Sequence, residues 1–390
     1  MVKIAFNKHA AGCSDISAYG MDTARKARAF HGSIPGYAPT PLRRLDCLAE
    51  SLEIKGLYVK DESCRFDLNA FKVLGGSFAI GSHIAALMGE DIAAMPYARM
   101  VSDEVKRTLG EQSFVTATDG NHGRGVAWTA NKLGQKSVVY MPEGTAAERL
   151  ENIRRLGADA AITDPSYDDG VRRAARDAEE KGWLLVQDTS WEGYERIPTL
   201  IMQGYTTMAL EAVEQLGDTV PSHVFLQAGV GSMAAAVTAF LANYYGEKRP
   251  KIIIVEPHTA DCHYLTVAAD DGEIHSISEG MDSMMAGLCC GEPCPVAWEI
   301  LREYCAAFAS IPDSASAEAM RTLARPRGTD PVIVSGESGA AGMGLVLALL
   351  RDTKNAELKK QLGIDESSVI LCFSTEGDTD KENYRKILGL

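Results

Sequence analysis

The stretch Asn69-Ala70-Phe71-Lys72-Val73-Leu74-Gly75-Gly76 places a lysine between an aromatic residue and a glycine pair. A lysine forms a Schiff base only as the free amine, so such a residue requires a partly desolvated site. Glycines nearby let a flat cofactor approach the backbone. We therefore predict that Lys72 carries a carbonyl cofactor. The competing interpretation is a solvated surface lysine ahead of a helix.

A second segment is Thr118-Asp119-Gly120-Asn121-His122-Gly123-Arg124-Gly125, which separates an apolar run from a helical pattern. Strand, glycine-rich turn and helix together place ligands at a helix N-terminus. We predict that Asn121 donates a hydrogen bond to a cofactor oxygen and that amides of the turn hold a carboxylate. A simple helix cap by Asp119 or Asn121 is the alternative.

A third segment, 227–234, again lies between a predicted strand and a predicted helix. We predict that backbone amides of this loop hold a phosphate at the positive end of the helix, with the phosphate loop formed by Gly229, Val230, Gly231, Ser232 and Met233. The segment also matches G-x-G-x-x-A, and Glu256 closes the next strand, where a dinucleotide enzyme would hold its ribose. A nicotinamide enzyme therefore stays open at this point.

A fourth segment, Leu371-Cys372-Phe373-Ser374-Thr375-Glu376-Gly377-Asp378, has the pattern of a buried strand that ends in hydroxyl and acidic residues. The neutral hydroxyl of Ser374 is suited to a hydrogen bond with a pyridine nitrogen, because it does not force a full positive charge on the ring. A strand-to-helix turn capped by Asp378 or Thr379 is the alternative.

In this order, the four segments resemble the fold type II pyridoxal-phosphate enzymes, the family of threonine dehydratase and the tryptophan synthase β-subunit. Within that family the motifs are most similar to those of the diaminopropionate ammonia-lyases, and the similarity runs from about Tyr37 to the C-terminus. It also includes Gln187-Asp188-Thr189-Ser190-Trp191-Glu192-Gly193-Tyr194, Met285-Ala286-Gly287-Leu288 and Ser335-Gly336-Glu337-Ser338-Gly339.

The resemblance implies an α/β fold with two parallel-sheet domains. It implies a large cofactor-binding domain from residues 1–81 and 197–390, and a small mobile domain from 82–196. The implied cofactor is pyridoxal 5'-phosphate on Lys72. Asp119 and Asp188 are the implied catalytic carboxylates, and the implied substrate-binding residues are Thr118, Gly120 and His122.

The sequence differs from the wider family at two places, one in the predicted substrate site and one in the predicted phosphate loop. Dehydratases usually have a small residue where this chain has Asp119, and an extra carboxylate suits a substrate with an extra ammonium. The phosphate loop of this chain is poorer in glycine than theirs. That difference matters less, because Val230, Ser232 and Met233 still supply backbone amides.

Apolar runs alternate with helical patterns along the chain, and this alternation favours parallel sheets covered by helices. The 390 residues are 46% apolar and carry a net charge of −14, so a large core is expected and nucleic acid or anionic membrane is not. The expected partners are a small diamino acid and a second copy of the chain, as a homodimer.

The first fifteen residues contain Lys3, Lys8 and His9, so they lack the apolar stretch of a signal peptide. Nine cysteines at irregular positions argue against a secreted disulfide framework. We therefore expect a cytoplasmic enzyme. We expect no metal site, and whether Cys262 pairs with Cys290 stays open.

The resulting prediction is an α,β-elimination that converts 2,3-diaminopropionate to pyruvate and two ammonia molecules. Three alternatives remain. They are a serine or threonine dehydratase of the same fold, a nicotinamide dehydrogenase and a non-catalytic sensor built on the fold.

Overall fold

The structure is a computed structural model that describes residues 1–118, 120–164 and 166–390. The chain divides into two compact units. The first contains Met1–Gly20, Pro39–Ala70 and Met208–Leu390, and the second contains Met21–Ala38 and Phe71–Thr207. The domain boundaries that the resemblance implies, 1–81 with 197–390 and 82–196, stay a prediction.

The first unit is built on a mixed sheet. Its strands are β1 (Lys3–Phe6), β2 (Leu42–Arg44), β3 (Gly56–Asp61), β8 (His223–Gln227), β9 (Lys251–Pro257), β10 (Ala307–Ile311) and β11 (Val369–Ser374). Its helices are α2 (Asp46–Ser51), α10 (Ser232–Tyr245), α11 (Cys262–Ala269), α12 (Pro295–Tyr304), α13 (Asp313–Ala324), α14 (Ala341–Arg351), α15 (Ala356–Leu362) and α16 (Lys381–Leu388).

Among the described residues, the strand order of this sheet is β1-β10-β9-β8-β11-β3-β2. The five central strands are parallel, and the edge strands β1 and β2 pair antiparallel with their neighbours. Strand β9 contains the β-branched run Ile252-Ile253-Ile254-Val255, which is almost fully buried. Such a run is typical of a parallel strand that helices cover on both faces.

The second unit contains a smaller sheet of order β6-β5-β4-β7 in the described residues, and these strands are all parallel. They are β4 (Ser113–Ala117), β5 (Lys136–Pro142), β6 (Asp159–Asp164) and β7 (Leu184–Leu185). The helices are α1 (Met21–Ser33), α3 (Val73–Leu87), α4 (Tyr97–Met100), α5 (Asp103–Leu109), α6 (Asn121–Lys132), α7 (Ala147–Arg154) and α8 (Tyr167–Lys181). Helix α9 (Arg196–Leu216) belongs to this unit up to Thr207.

Strand β5 shows how the smaller sheet is covered on both faces. Tyr140 packs in one cluster with Val171 and Ala174 of α8. The alternate residues Val139 and Met141 pack in another cluster with residues of α6 and α7. Because side chains alternate across a strand, the two clusters lie on opposite faces of the sheet. The predicted α/β fold with parallel sheets is confirmed.

Among the helices of the described residues, none combines the length and the apolar character that a membrane span requires.

Candidate active site

Lys72 lies immediately before helix α3, and its side chain reaches Asp188 of the same unit. The ammonium Nζ donates a 2.6 Å hydrogen bond to Asp188 Oδ2. The Lys72 side chain is 21% exposed, whereas that of Asp188 is 6% exposed. The lysine thus combines a buried counter-ion with a side chain that is partly exposed to solvent.

Asp188 is an ionised carboxylate in this arrangement. Burial by itself would raise the pKa of Asp188, but the charge of Lys72 and then that of His122 outweigh burial. The pKa of the carboxyl therefore lies well below its ordinary value. Asp188 can hold a cation next to it and can accept a proton when that cation is displaced.

His122 is a second neighbour of Asp188. The imidazole is buried, its Nε2 makes a 2.7 Å hydrogen bond with the carbonyl of Val186, and its Nδ1 lies 3.8 Å from Asp188 Oδ2. A carbonyl can only accept, so Nε2 carries a proton and Nδ1 faces the carboxylate. The structure brings His122 together with Asp188, and its predicted role in substrate binding stays a prediction.

The turn that precedes α6 is organised by Thr118. Its Oγ1 accepts hydrogen bonds from the amides of Gly120 at 2.9 Å and Gly123 at 3.1 Å. Asn121 is the first residue of α6 and is partly exposed. Asp119, the other predicted catalytic carboxylate, lies outside the described residues.

The predicted phosphate loop is in the first unit, between β8 and α10. Helix α10 begins at Ser232, with Gly231 as N-cap at φ 97° and no side-chain cap. An added Cβ at Gly231 would lie 2.8 Å from Nε2 of His263, so both the backbone conformation and the space require glycine here. The result is a helix N-terminus without a side-chain cap, which favours an anion.

Ser374 ends strand β11, which pairs parallel with β8. Carboxyl ends of parallel strands meet at one edge of a sheet, so Ser374 and the phosphate loop lie at the same edge. Gln227 ties the two strand ends together, because its Nε2 donates to the carbonyl of Phe373 at 2.9 Å and to Thr375 Oγ1 at 2.8 Å. The Ser374 hydroxyl lies 2.7 Å from that of Ser335.

A family profile described as "Pyridoxal-phosphate dependent enzyme" matches residues 34–372. The chain belongs to this family. A diaminopropionate ammonia-lyase from Salmonella typhimurium is 46% identical over 396 residues, which cover 100% of this chain and 98% of the relative.

Two solved structures of diaminopropionate ammonia-lyase from Escherichia coli are similar as well. The holo form has a TM-score of 0.93 at 45% identity and covers 100% of this chain and 96% of that one. The complex with an aminoacrylate-PLP azomethine reaction intermediate has a TM-score of 0.92 at 46% identity, covering 100% and 97%. The fold is therefore that of the fold type II pyridoxal-phosphate enzymes, as predicted.

Each unit by itself presents groups that fit the family's cofactor. Pyridoxal phosphate requires an amine for its aldehyde, an anion site for its phosphate and a partner for its ring nitrogen. The second unit presents Lys72, whose side chain is partly exposed, and the first unit presents the backbone amides at the uncapped start of α10 and the hydroxyl of Ser374 at the end of a strand. Each of these residues was predicted from the sequence.

Gly75, the first glycine after Lys72, has a different role from the one expected of the glycines near this lysine. An added Cβ at Gly75 would lie 2.6 Å from Ile201 and Tyr205, and the backbone of Val73 lies 2.9 Å from the Cβ position of Gly125. These glycines allow helices to pack closely. The expectation that Gly75 makes room for the cofactor is wrong, because protein side chains fill that space.

The sequence did not predict the hydrogen-bond partners of Asp188 and of its neighbour Gln187. Gln187 Nε2 donates to the hydroxyl of Tyr167 at 2.7 Å, and that hydroxyl lies 3.5 Å from Asp188 Oδ1. Gln187 Oε1 in turn accepts from Thr116 Oγ1 at 2.9 Å. The motif from Gln187 to Tyr194 marked the segment as informative, but it did not show that Tyr167, twenty residues earlier, would reach it.

Among the described residues, Glu256, Cys262 and His263 form a group of three whose possible metal-ligand atoms all lie within 4.8 Å of one another. These atoms form hydrogen bonds with one another. Glu256 accepts from Nδ1 and the amide of His263 and from the amide of Tyr264. A carboxylate used in this way is not available to a ribose, which removes one of the two observations that favoured a nicotinamide enzyme. Cys262 and Cys290 are both free thiols.

Proposed function

We propose that this protein is a diaminopropionate ammonia-lyase. It takes 2,3-diaminopropionate and one water molecule and releases pyruvate and two ammonia molecules. The observation that carries the proposal is the 2.6 Å contact between the partly exposed Lys72 amine and the buried carboxylate of Asp188. The named relatives, which match this chain along nearly its whole length, support the choice of substrate.

The cofactor, when bound, withdraws electrons from the substrate's α-carbon and so makes the α-proton acidic. Lys72 supplies the amine that attaches it. The amides of the phosphate loop hold its phosphate, and the hydroxyl of Ser374 holds its ring nitrogen. Asn121 donates a hydrogen bond to a cofactor oxygen.

The carboxylates serve the two amines of the substrate. Asp188 is ionised and buried beside the lysine, so it attracts an ammonium that replaces that of Lys72. A protonated β-amine is a better leaving group than a neutral one. Asp119 is the second carboxylate in this proposal, and Thr118, Gly120 and His122 are the proposed contacts of the substrate carboxylate.

The two enantiomers of the substrate require bases on opposite sides of the cofactor plane. We assign the α-proton of the D-isomer to Asp119. We assign that of the L-isomer to Lys72, with Asp188 orienting the substrate amine.

The experiment is an absorption spectrum and a product assay on the purified protein loaded with pyridoxal phosphate. A visible band should change when 2,3-diaminopropionate is added, with pyruvate and ammonia formed in a ratio of one to two. Serine and threonine are the comparison substrates. Faster turnover of either one would identify a dehydratase, and cofactor binding without ammonia release from any of the three would identify a sensor.

We also propose that the protein works in the cytoplasm as a homodimer. The nine cysteines are free thiols, which fits a reducing compartment. Light scattering on the eluted protein measures the oligomeric state directly, and a monomer mass would contradict the dimer.

A further inference from the structure

We propose that a cleft in the first unit, whose charged residues are distant in sequence from Lys72, binds a small divalent oxyanion such as phosphate. The cleft lies between residues of α2, α13, the segment 325–331 and the end of α14, and its volume is about 220 Å³. Its charged lining residues are Glu318, Arg321, Arg325, Arg327, Asp330 and Arg351.

The net charge of the residues that line this cleft is positive, whereas that of the whole chain is negative. Four arginines against two carboxylates leave two positive charges in the lining, whereas the whole protein carries −14. Positive charge concentrated in a concave surface attracts anions more strongly than the same charge spread over a convex one.

Both carboxylates of the cleft already accept hydrogen bonds from protein groups. Asp330 accepts from the backbone amides of Cys47 at 2.9 Å and Leu48 at 2.8 Å. Glu318 accepts a 3.0 Å hydrogen bond from Arg351 and lies 3.7 Å from Nε of Arg321. A single carboxylate thus serves two arginines, and Asp330 is directed toward the backbone.

The other two arginines of the lining, Arg325 and Arg327, have no acidic partner among the described residues. Arg325 donates to the carbonyl of Leu388, and Arg321, besides its contact with Glu318, donates to that of Ile387 at 3.1 Å. Carbonyl groups fix the direction of a guanidinium but do not neutralise its charge. The Arg327 side chain is exposed and makes no hydrogen bond or ion pair within the described residues.

The size and donor type of the cleft identify the ligand class. Sites for drug-sized ligands have volumes of about 300 to 1,000 Å³, so this cleft suits a smaller molecule. Guanidinium groups match the planar or tetrahedral oxygens of carboxylates and phosphates. A divalent oxyanion would balance the two unpaired charges. Inorganic phosphate and a small dicarboxylate share this chemistry.

The test is calorimetric titration of the holoenzyme with inorganic phosphate at constant ionic strength. Loading with pyridoxal phosphate keeps the phosphate loop from binding the titrant. We expect one saturable site with a dissociation constant on the order of 1 mM. Arg327→Ala should weaken binding about tenfold, because a charge-assisted contact is lost. Since the Arg327 side chain makes no hydrogen bond or ion pair within the described residues, this variant should fold normally.

Arg107→Ala is the matched control, because Arg107 is an exposed arginine of α5 outside the cleft. It should bind phosphate as the unmodified enzyme does, and ammonia release should be unchanged in both variants. Succinate in place of phosphate distinguishes the two ligand classes. No saturable heat with either anion, or equal affinity in Arg327→Ala and the unmodified enzyme, would overturn the proposal.

Discussion

Two lysine–carboxylate pairs of nearly equal length lie in different units of this protein. Lys60 Nζ is 2.7 Å from Glu211 Oε2 in the first unit, and Lys72 Nζ is 2.6 Å from Asp188 Oδ2 in the second. By distance alone the pairs are the same. What differs is how far solvent can reach each lysine side chain.

The Lys60–Glu211 pair is buried, and its ammonium has a full set of hydrogen-bond acceptors. The ammonium donates to Glu211, to the carbonyl of Thr40 at 2.6 Å and to Gln215 at 3.0 Å, which uses its three protons. The side chain is 0% exposed. Arg65 donates to Glu62 and Glu211 in the same network. Burial still lowers the pKa of Lys60, despite the opposing charges of Glu62 and Glu211.

A short lysine–carboxylate contact does not by itself mark a reactive lysine. Lys60 is held in one place by neutral and charged acceptors, whereas Lys72 keeps 21% of its side chain exposed. A lysine that must attach a cofactor needs this access, and a lysine that holds loops together does not.

The largest effect should come from Lys72→Ala. Without the amine the cofactor cannot be attached, so ammonia release should fall by about 10⁴-fold or more. The circular dichroism spectrum should be unchanged. Substantial turnover by this variant would remove the distinction between the two lysines.

The aspartate variants separate the two faces of the cofactor. Asp119→Asn should reduce turnover of D-diaminopropionate by about 10² to 10⁴, and that of the L-isomer far less. Asp188→Asn should reduce turnover of the L-isomer more. Initial rates with both pure isomers measure this. Equal losses for both isomers in both variants would reduce the aspartates to shared electrostatic partners.

Lys60→Met should affect stability instead of chemistry. It leaves Glu211 and Glu62 buried with only Arg65 as a cation, and breaking a buried ion pair on one side costs about 3 to 5 kcal/mol. Urea unfolding measures the loss of free energy of unfolding. We expect the rate per folded, cofactor-loaded site to stay within about threefold of the unmodified value. A large rate loss without a stability loss would make Lys60 the functional lysine.

A third carboxyl group, Glu337, should give the opposite pH dependence to Asp188. Burial and then the charge of Glu376 raise the pKa of Glu337 to about 7. Below about pH 4.5 the folded and unfolded states are both protonated at this group. As the pH rises to about 7, only the unfolded state ionises, so the free energy of unfolding decreases by about 1 to 3 kcal/mol.

Glu337→Gln should remove this decrease, which urea unfolding at pH 5 and pH 8 measures. For Asp188 the change of unfolding free energy with pH has the opposite sign, because the pKa of this group is lowered in the folded protein. The contribution of Asp188 to the free energy of unfolding is present above about pH 4 and is lost in acid. An unchanged pH profile in Glu337→Gln would show that Glu337 is ionised throughout.

The smallest effect should come from Ser374→Ala. One hydrogen bond to a neutral ring nitrogen contributes about 1 kcal/mol, so cofactor affinity should fall about fivefold. Titration of the apoenzyme with pyridoxal phosphate, followed by absorbance, measures this. Unchanged affinity and an unchanged spectrum would mean that Ser374 does not contact the ring.

The sequence determined the parts of the site that are local in the chain. The strand–turn–helix segments around Asn121 and Gly231 were predictable, because apolar runs, glycine turns and helical patterns follow each other within about twenty residues. The position of Lys72 before a helix and of Ser374 at a strand end followed from the same reasoning.

Only the tertiary structure decided which charged groups meet. Lys60 and Glu211 are 151 residues apart, and Lys72 and Asp188 are 116 apart. No periodicity connects positions so far apart, and a lone lysine in a sequence does not show how many acceptors will surround it. The glycines at 75 and 125 were equally ambiguous, because a missing Cβ serves a cofactor or a neighbouring helix equally well. Packing filled those spaces with protein, and packing alone left Lys72 accessible.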